Sequence, residues 1–276
     1  MQNKMLNTLK SVSFSWTKVG DYGKITPVNI VRRGHITVRT DVLGVGFDNL
    51  DLDQAVERAR SAIAEGRCGM VVTPNPEIVW IARRDAELGR IIAQADLVLA
   101  DGVGITLGAK LLGRPLRARI PGIDFAARLM AEMAGGGQSV FLYGAKPGVA
   151  ERAGEALMTQ YPGLRVVGTA DGYGDDGPVL ERISAARPDL LLVCLGAPKQ
   201  ELWMAAHKES LDVGLMLGLG GALDVFAGAV KRAPEGWRKL GLEWLYRLIR
   251  EPRRIGRMLR LPLFLFAVMG QRIRGK

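Results

Sequence analysis

The sequence predicts an α/β fold: a Rossmann-like, mostly parallel sheet flanked by helices, with a basic amphipathic helical appendage at the C-terminus. Three observations predict it. From Ser139 onward, short apolar runs of strand length alternate with longer runs of helical spacing, the pattern that builds a doubly wound parallel sheet. Glycine-bearing loops follow three of those strands, where such sheets place their ligands. The net charge of +10 is not spread along the chain: from Lys231 to Lys276 thirteen Lys and Arg face three Glu, and the residues before them balance.

Before Val42 polar and apolar positions mix without a clear period, so residues 1–41 read as an N-terminal extension. Val42–Phe47 reads as a first strand, after which Ala55, Val56, Ala59, Ile63 and Ala64 recur at helical spacing. Asp51 and Asp53 imitate the metal-binding D-x-D of many sugar transferases. Acids just ahead of an amphipathic run are also what a helix N-terminus favours, and that reading is preferred. Met70–Thr73 is the next strand, ending in Thr73-Pro-Asn75-Pro-Glu77, whose prolines hold the loop extended and start a helix at Pro76 or Glu77. Thr73 and Asn75 are then displayed at a strand end, suited to a polyhydroxylated ligand, or Asn75 is the N-cap of a stiff turn.

Leu97–Ala100 reads as a buried strand cut short by Asp101-Gly-Val-Gly. Asp101 therefore falls on a strand-to-helix loop at the carboxyl edge of the sheet, placed either for chemistry or to cap the helix beginning near Gly104. Arg114, Arg117 and Arg119 lead into Ile120-Pro-Gly-Ile-Asp124 and a helix through Met133, and Gly135-Gly-Gly breaks the chain. Residues 42–135 thus form an N-terminal α/β part with the candidate catalytic loop, and residues 136–229 a Rossmann-like nucleotide-binding part. In the second part strands are expected at 140–143, 165–168, 190–195 and 213–217, with helices at 147–160, 178–186, 199–207 and from Gly221. Its glycine loops, 144–148, 196–201 and 218–224, permit close backbone approach, and each opens a helix whose positive end favours phosphate. None is a P-loop or a G-x-G-x-x-G, so the kind of nucleotide is not specified.

Residues 230–276 are the appendage. Trp237, Leu240, Trp244, Leu245, Leu248 and Ile249 alternate with Arg238, Lys239, Arg247 and Arg250, and beyond Pro252 a second basic cluster precedes the apolar run Leu261–Met269. Basic residues among Trp, Leu and Phe mark a helix lying in a membrane interface, where each Lys or Arg near an anionic leaflet contributes about 1 kcal/mol. The competing reading folds this helical pair onto the domain with its arginines solvated. No stretch reaches the roughly 20 apolar residues of a bilayer span, and no signal peptide is evident. The expectation is a cytoplasmic protein, peripheral on the inner face of the cytoplasmic membrane through residues 231–269. Two cysteines, Cys68 and Cys194, and two histidines, His35 and His207, are too scattered for a disulfide framework or a zinc site. No metal or cofactor is expected.

Two other classes compete. Residues 140–143, Gly144 and Gly148, the strand at 165–168 and Asp171 imitate half of a dinucleotide-binding unit, as an NAD(P)-dependent oxidoreductase would require, but the middle glycine and a hydride-site partner are missing. A nucleic-acid-binding protein could use the basic tail, with steep salt dependence. The apolar run Leu263–Met269 argues against it, and no nucleic-acid partner is expected.

Taken together, VVTPNPE at 71, ADLVLADGVGI at 95, RIPGID at 119, LGAPKQE at 195, LGLGGALDVFAG at 217 and KRAPEGWRKLGLEWLYRLIREPRR at 231 resemble the WecG/TagA/CpsF family of bacterial glycosyltransferases. The resemblance runs from about Val42 to Val268. It implies an inverting, metal-independent transfer from a UDP-sugar donor, of N-acetylmannosamine or glucose type, to an undecaprenyl-diphosphate-linked saccharide in cell-envelope or exopolysaccharide assembly. By the same resemblance Asp101 is the general base and Thr73 and Asn75 are the polar pair of the donor pocket. Arg119, Gln200 and Asp224 surround the nucleotide, and Gly144, Gly196 and Gly220, read from the glycine loops themselves, are expected to line the same substrate site. Arg247, Arg254 and Arg257 belong to an appendage that closes over the pocket. The long polar start departs from shorter members, and a homo-oligomeric state is left open.

Overall fold

The strands form two sheets in this computed structural model, which describes residues 28–32, 35–66, 68–250, 252, 256 and 260–275. A small antiparallel sheet comes first: β1 (Val28–Arg32), β2 (His35–Val42) and β3 (Val45–Asp48) pair in that order. The single strand expected over Val42–Phe47 is instead a hairpin, because Leu43 (φ +57°) and Gly44 (φ +86°) turn the chain between the paired residues Val42 and Val45. Two left-handed residues suit a tight hairpin turn, and a Leu-Gly pair does not advertise it as Asn-Gly would. Next, α1 (Leu52–Ala64) starts at an Asp51 cap whose side chain accepts from Gln54 N–H while the Gln54 side chain answers to Asp51 N–H. The D-x-D pair is therefore in local use, with Asp53 set 3.4 Å from Arg128.

The remaining strands are β4 (Gly69–Val72), β5 (Leu97–Val98), β6 (Ser139–Gly144), β7 (Arg165–Ala170), β8 (Leu190–Cys194) and β9 (Leu215–Gly218). They form one six-stranded sheet in the order β5-β4-β9-β8-β6-β7, every neighbouring pair parallel. The fold is thus the α/β architecture expected, and the sheet draws strands from both sides of residue 135. Helices α2 (Pro76–Ala82), α3 (Ala86–Gln94), α4 (Val103–Leu111), α5 (Gly122–Gly135), α6 (Val149–Gln160), α7 (Asp176–Ala186), α8 (Lys199–His207) and α9 (Ala222–Phe226) connect and cover it. Alternate strand residues feed two apolar layers: Leu191, Val193 and Met216 pack into one, Leu190, Leu192 and Leu217 into the other. Burial on both faces is why five of these strands read as unbroken apolar runs, whereas β7, at the sheet edge, is mostly half-buried.

Parallel strands put all six carboxyl ends on one rim. The chain leaves β6 toward β7 and leaves the adjacent β8 the other way, toward β9, which makes the β6/β8 boundary a topological switch point of the kind where α/β sheets bind ligands. Gly144 ends β6 at φ +127°, and a Cβ there would fall inside the van der Waals shell of the Cys194 carbonyl. Strand packing alone therefore requires a glycine here. Gly144→Ala is expected to lose about 3 kcal/mol or more of stability through strain and overpacking, read as a drop in the denaturant midpoint; an unchanged midpoint would contradict this packing.

The appendage comprises α10 (Glu235–Lys239), α11 (Glu243–Arg250) and α12 (Arg260–Arg274). Gly241, at φ +73°, separates α10 from α11. The apolar run Leu261–Met269 is divided in its use. Phe264 and Val268 are fully buried, seated over Gly108 of α4, where a Cβ would stand 3.2 to 3.3 Å from them. Leu261 presses on Gly104 one turn earlier, Arg260 reaches Glu77 at 2.7 Å, and Gln271 bonds Asp41 and the Leu43 N–H. For α12 the structure thus shows a helix folded onto the domain. Leu263, Phe266, Met269 and Ile273 remain exposed along the same helix. Among the described residues no helix is long and apolar enough to cross a membrane.

Candidate active site

Neighbouring loops on the carboxyl rim are tied by hydrogen bonds in series. Asp101 N–H after β5 donates to Pro74 O after β4 at 3.3 Å. Thr73 Oγ1 donates to Gly218 O after β9 at 3.2 Å. Gly220 N–H donates to Oε1 of Gln200, at the start of α8, at 2.7 Å, Ala145 N–H to Cys194 O at 3.2 Å, and Gly172 N–H to Ala145 O at 3.0 Å. A rim so fixed presents its side chains on a rigid frame, which a reaction centre needs.

At one end of the rim stands Asp101, half-buried. The N-cap position of α4 falls on Gly102 (φ +91°), so Asp101 is not that helix's cap. A Cβ on Gly102 would lie 3.5 Å from Pro76 and 3.9 Å from Asn75, which measures how closely the Asp101 loop rests on the proline loop. Ile120 N–H donates to Ala100 O at 3.0 Å and brings the start of α5 to the same place. Asp101, Asn75 and the segment after Arg119 are thus gathered at one point.

The polar pair takes up structural duties here. Asn75 is the N-cap of α2, its Oδ1 accepting from Ile78 N–H at 3.0 Å. Thr73 is buried rather than displayed, and its hydroxyl joins β4 to β9. Gly122 packs against it: a Cβ there would come within 3.0 Å of Thr73. Gln200, only 2% exposed, is engaged at both ends of its amide. Gly196 (φ +79°) and Gly220 (φ +53°) have open space where a side chain would stand, unlike Gly144. Asp224 is half-buried in the first turn of α9, its Oδ2 3.7 Å from the Cβ position of Gly221.

Cations approach from the appendage. Arg119 Nη2 donates to Arg238 O, at the end of α10, at 2.9 Å. Arg232 makes a forked pair with Asp124 and lies 3.6 Å from Glu243. Burial alone would lower the Arg232 pKa, but its bonds to Asp124 and the charge of Glu243 outweigh burial and leave it raised. Arg247 lies on α11 with its side chain outside the described residues, and Arg254 and Arg257 lie outside them altogether.

Sequence reasoning passed over Asp124 and Arg232, whose ion pair fastens the start of the appendage to α5, although both stand inside motifs it quoted. It also passed over Glu201, beside Gln200, and Tyr173, 72% exposed on the loop after β7. A tyrosine set between two glycines, Gly172 and Gly174, was the available signal for the last. Asp171, read as a candidate ribose acid, accepts from Tyr173 N–H at 2.9 Å in a local turn.

Over residues 40–276 the chain matches the glycosyl transferase WecG/TagA/CpsF family. Proteins of Staphylococcus aureus strains MW2 and NCTC 8325 / PS 47, each named N-acetylglucosaminyldiphosphoundecaprenol N-acetyl-beta-D-mannosaminyltransferase, are 39% identical to it over 236 residues, which cover 84% of this chain and 92% of theirs. A match of that extent leaves neither the oxidoreductase nor the nucleic-acid reading standing. The chain belongs to the WecG/TagA/CpsF family and is a glycosyltransferase.

Proposed function

We propose that the protein transfers N-acetylmannosamine from its UDP derivative to an undecaprenyl-diphosphate-linked N-acetylglucosamine, with inversion and without a metal, in cell-envelope assembly. The observation that supports it most is the placement of Asp101 on the proline loop, at one end of a rim whose other loops open at Gly196 and Gly220. The names of the relatives supply the sugar and the acceptor.

The chemistry follows from that placement. An acceptor hydroxyl is a poor nucleophile until a base takes its proton as oxygen attacks the anomeric carbon, and the Asp101 carboxylate is that base. Attack opposite the departing diphosphate inverts the centre and gives the β-linked product. The nucleotide lies toward the β6/β8 switch point, with Tyr173 as a face for the base, and the diphosphate lies over the loop 218–221. Its growing charge is met by Arg119 and the appendage arginines Arg247, Arg254 and Arg257. The exposed apolar side of α12 and the basic surplus after Lys231 rest on the anionic inner leaflet, which brings the rim to its lipid-linked acceptor.

Incubation with UDP-N-acetylmannosamine, UDP-N-acetylglucosamine or UDP-glucose, and with an N-acetylglucosaminyl-diphosphate lipid, tests this. Transfer is expected from the first donor, with a β-anomeric product by NMR and no loss in EDTA. Transfer from none of them would overturn the reading, and chelator-sensitive turnover would overturn its metal-independent form.

A further inference from the structure

Gln200 and Glu201 are adjacent at the start of α8, 2% and 1% exposed. A glutamine amide is nearly symmetric in shape, and either end could face Gly220. Only the oxygen can accept the Gly220 N–H; the flipped amide would set two donors against each other beside a glutamine only 2% exposed. Something must hold the amide in the useful orientation. Glu201 Oε1 accepts from Gln200 Nε2 at 2.9 Å, and the Gln200 oxygen is thereby left toward Gly220 N–H at 2.7 Å. A Cβ on Gly218 would stand 3.1 Å from that same Nε2, so the amide also fills the space beneath the loop.

We propose that Glu201 is a positioning residue for the donor: by fixing the orientation of the Gln200 amide it fixes the loop 218–221 on which the diphosphate lies. The inference rests on the proposed function and adds a residue to it. Two further features of Glu201 fit. Among the described residues it has no ion-pair partner and its Oε2 has no hydrogen-bond partner, and burial pushes its carboxyl above the ordinary range, which the Gln200 bond only partly offsets. A proton on Oε2 leaves Oε1 an acceptor, so the clamp holds in either protonation state.

Glu201→Met keeps the volume and removes the acceptor, whereas Glu201→Gln keeps an oxygen that can receive the Gln200 amide. With UDP in calorimetry and UDP-N-acetylmannosamine in steady-state assays, Glu201→Met is expected to raise the UDP Kd and the donor KM about tenfold or more. Its kcat at saturating donor and its acceptor KM should stay within about threefold of wild type, and Glu201→Gln should restore the donor constants. Folded Glu201→Met with an unchanged UDP Kd would overturn the inference, as would a loss confined to kcat. If Glu201→Met does not fold, Glu201→Gln alone decides: about tenfold weaker UDP binding at an unchanged Tm overturns the inference, and wild-type binding supports it. Wild type that binds no UDP would remove the functional reading, and the inference with it; wild type that binds UDP no better than folded Glu201→Met would overturn the inference alone.

Discussion

Replacing Asp101 with asparagine is expected to lower the rate of sugar transfer by about a thousandfold while leaving UDP binding unchanged. The substitution is nearly isosteric, and the backbone bond from residue 101 to Pro74 and the left-handed Gly102 that shape the loop do not depend on the carboxylate. The proton acceptor is lost. The deficit should therefore fall on kcat and kcat/KM alike, since the base acts only as the bond forms. Single-turnover assays with calorimetry on the same preparation would check it. A variant with full turnover would show that the base lies elsewhere, and a variant that no longer binds UDP would show Asp101 to be a donor ligand.

A chain ending at Ala229 should be nearly as inactive on a lipid-linked acceptor, for a different reason. It loses the carbonyl that Arg119 holds, the Arg232 partner of Asp124, the Arg260 partner of Glu77, and the two side chains that cover Gly108. Gly241, Leu261 and Phe264 all press on α4, the helix that follows the Asp101 loop. The appendage therefore braces the loop, and under the proposed function it also supplies cations. Turnover is expected to fall by at least about a hundredfold, and flotation with anionic vesicles to be lost. Full-length Phe264→Ala separates bracing from charge: it leaves every arginine in place and opens a cavity that costs about 3–5 kcal/mol if α12 stays docked. A shortened chain with full activity on the lipid acceptor would contradict this part of the account.

The large sheet was legible because five of its six strands are buried along their whole length, and unbroken runs such as Leu190–Cys194 fit a strand covered on both faces. What escaped was local. The Leu43-Gly44 turn carries none of the usual residues, and α3 offers only Leu88, Ile91 and Ile92 to the core behind its Asp85 cap. Glycines defeated single-position reading altogether, because Gly144 and Gly220 look alike in sequence, yet one is pressed on a carbonyl and the other faces open space. The gathering of Asp101, Asn75 and the start of α5 was foreshadowed by motif, but the bonds that fasten them join residues far apart in the chain. Gln200 was picked out as a ligand contact; its amide turned out to be occupied by its neighbour and by a loop twenty residues on. Burial of that kind has no sequence signal.

A crystal structure of Asp101→Asn with UDP-N-acetylmannosamine bound would test the central claim most directly, because the variant is expected to hold the donor without consuming it. The account predicts the diphosphate over residues 218–221 and the anomeric carbon facing residue 101, with room between them for one hydroxyl. A donor seated with its anomeric carbon away from residue 101, or bound off the carboxyl rim, would contradict it.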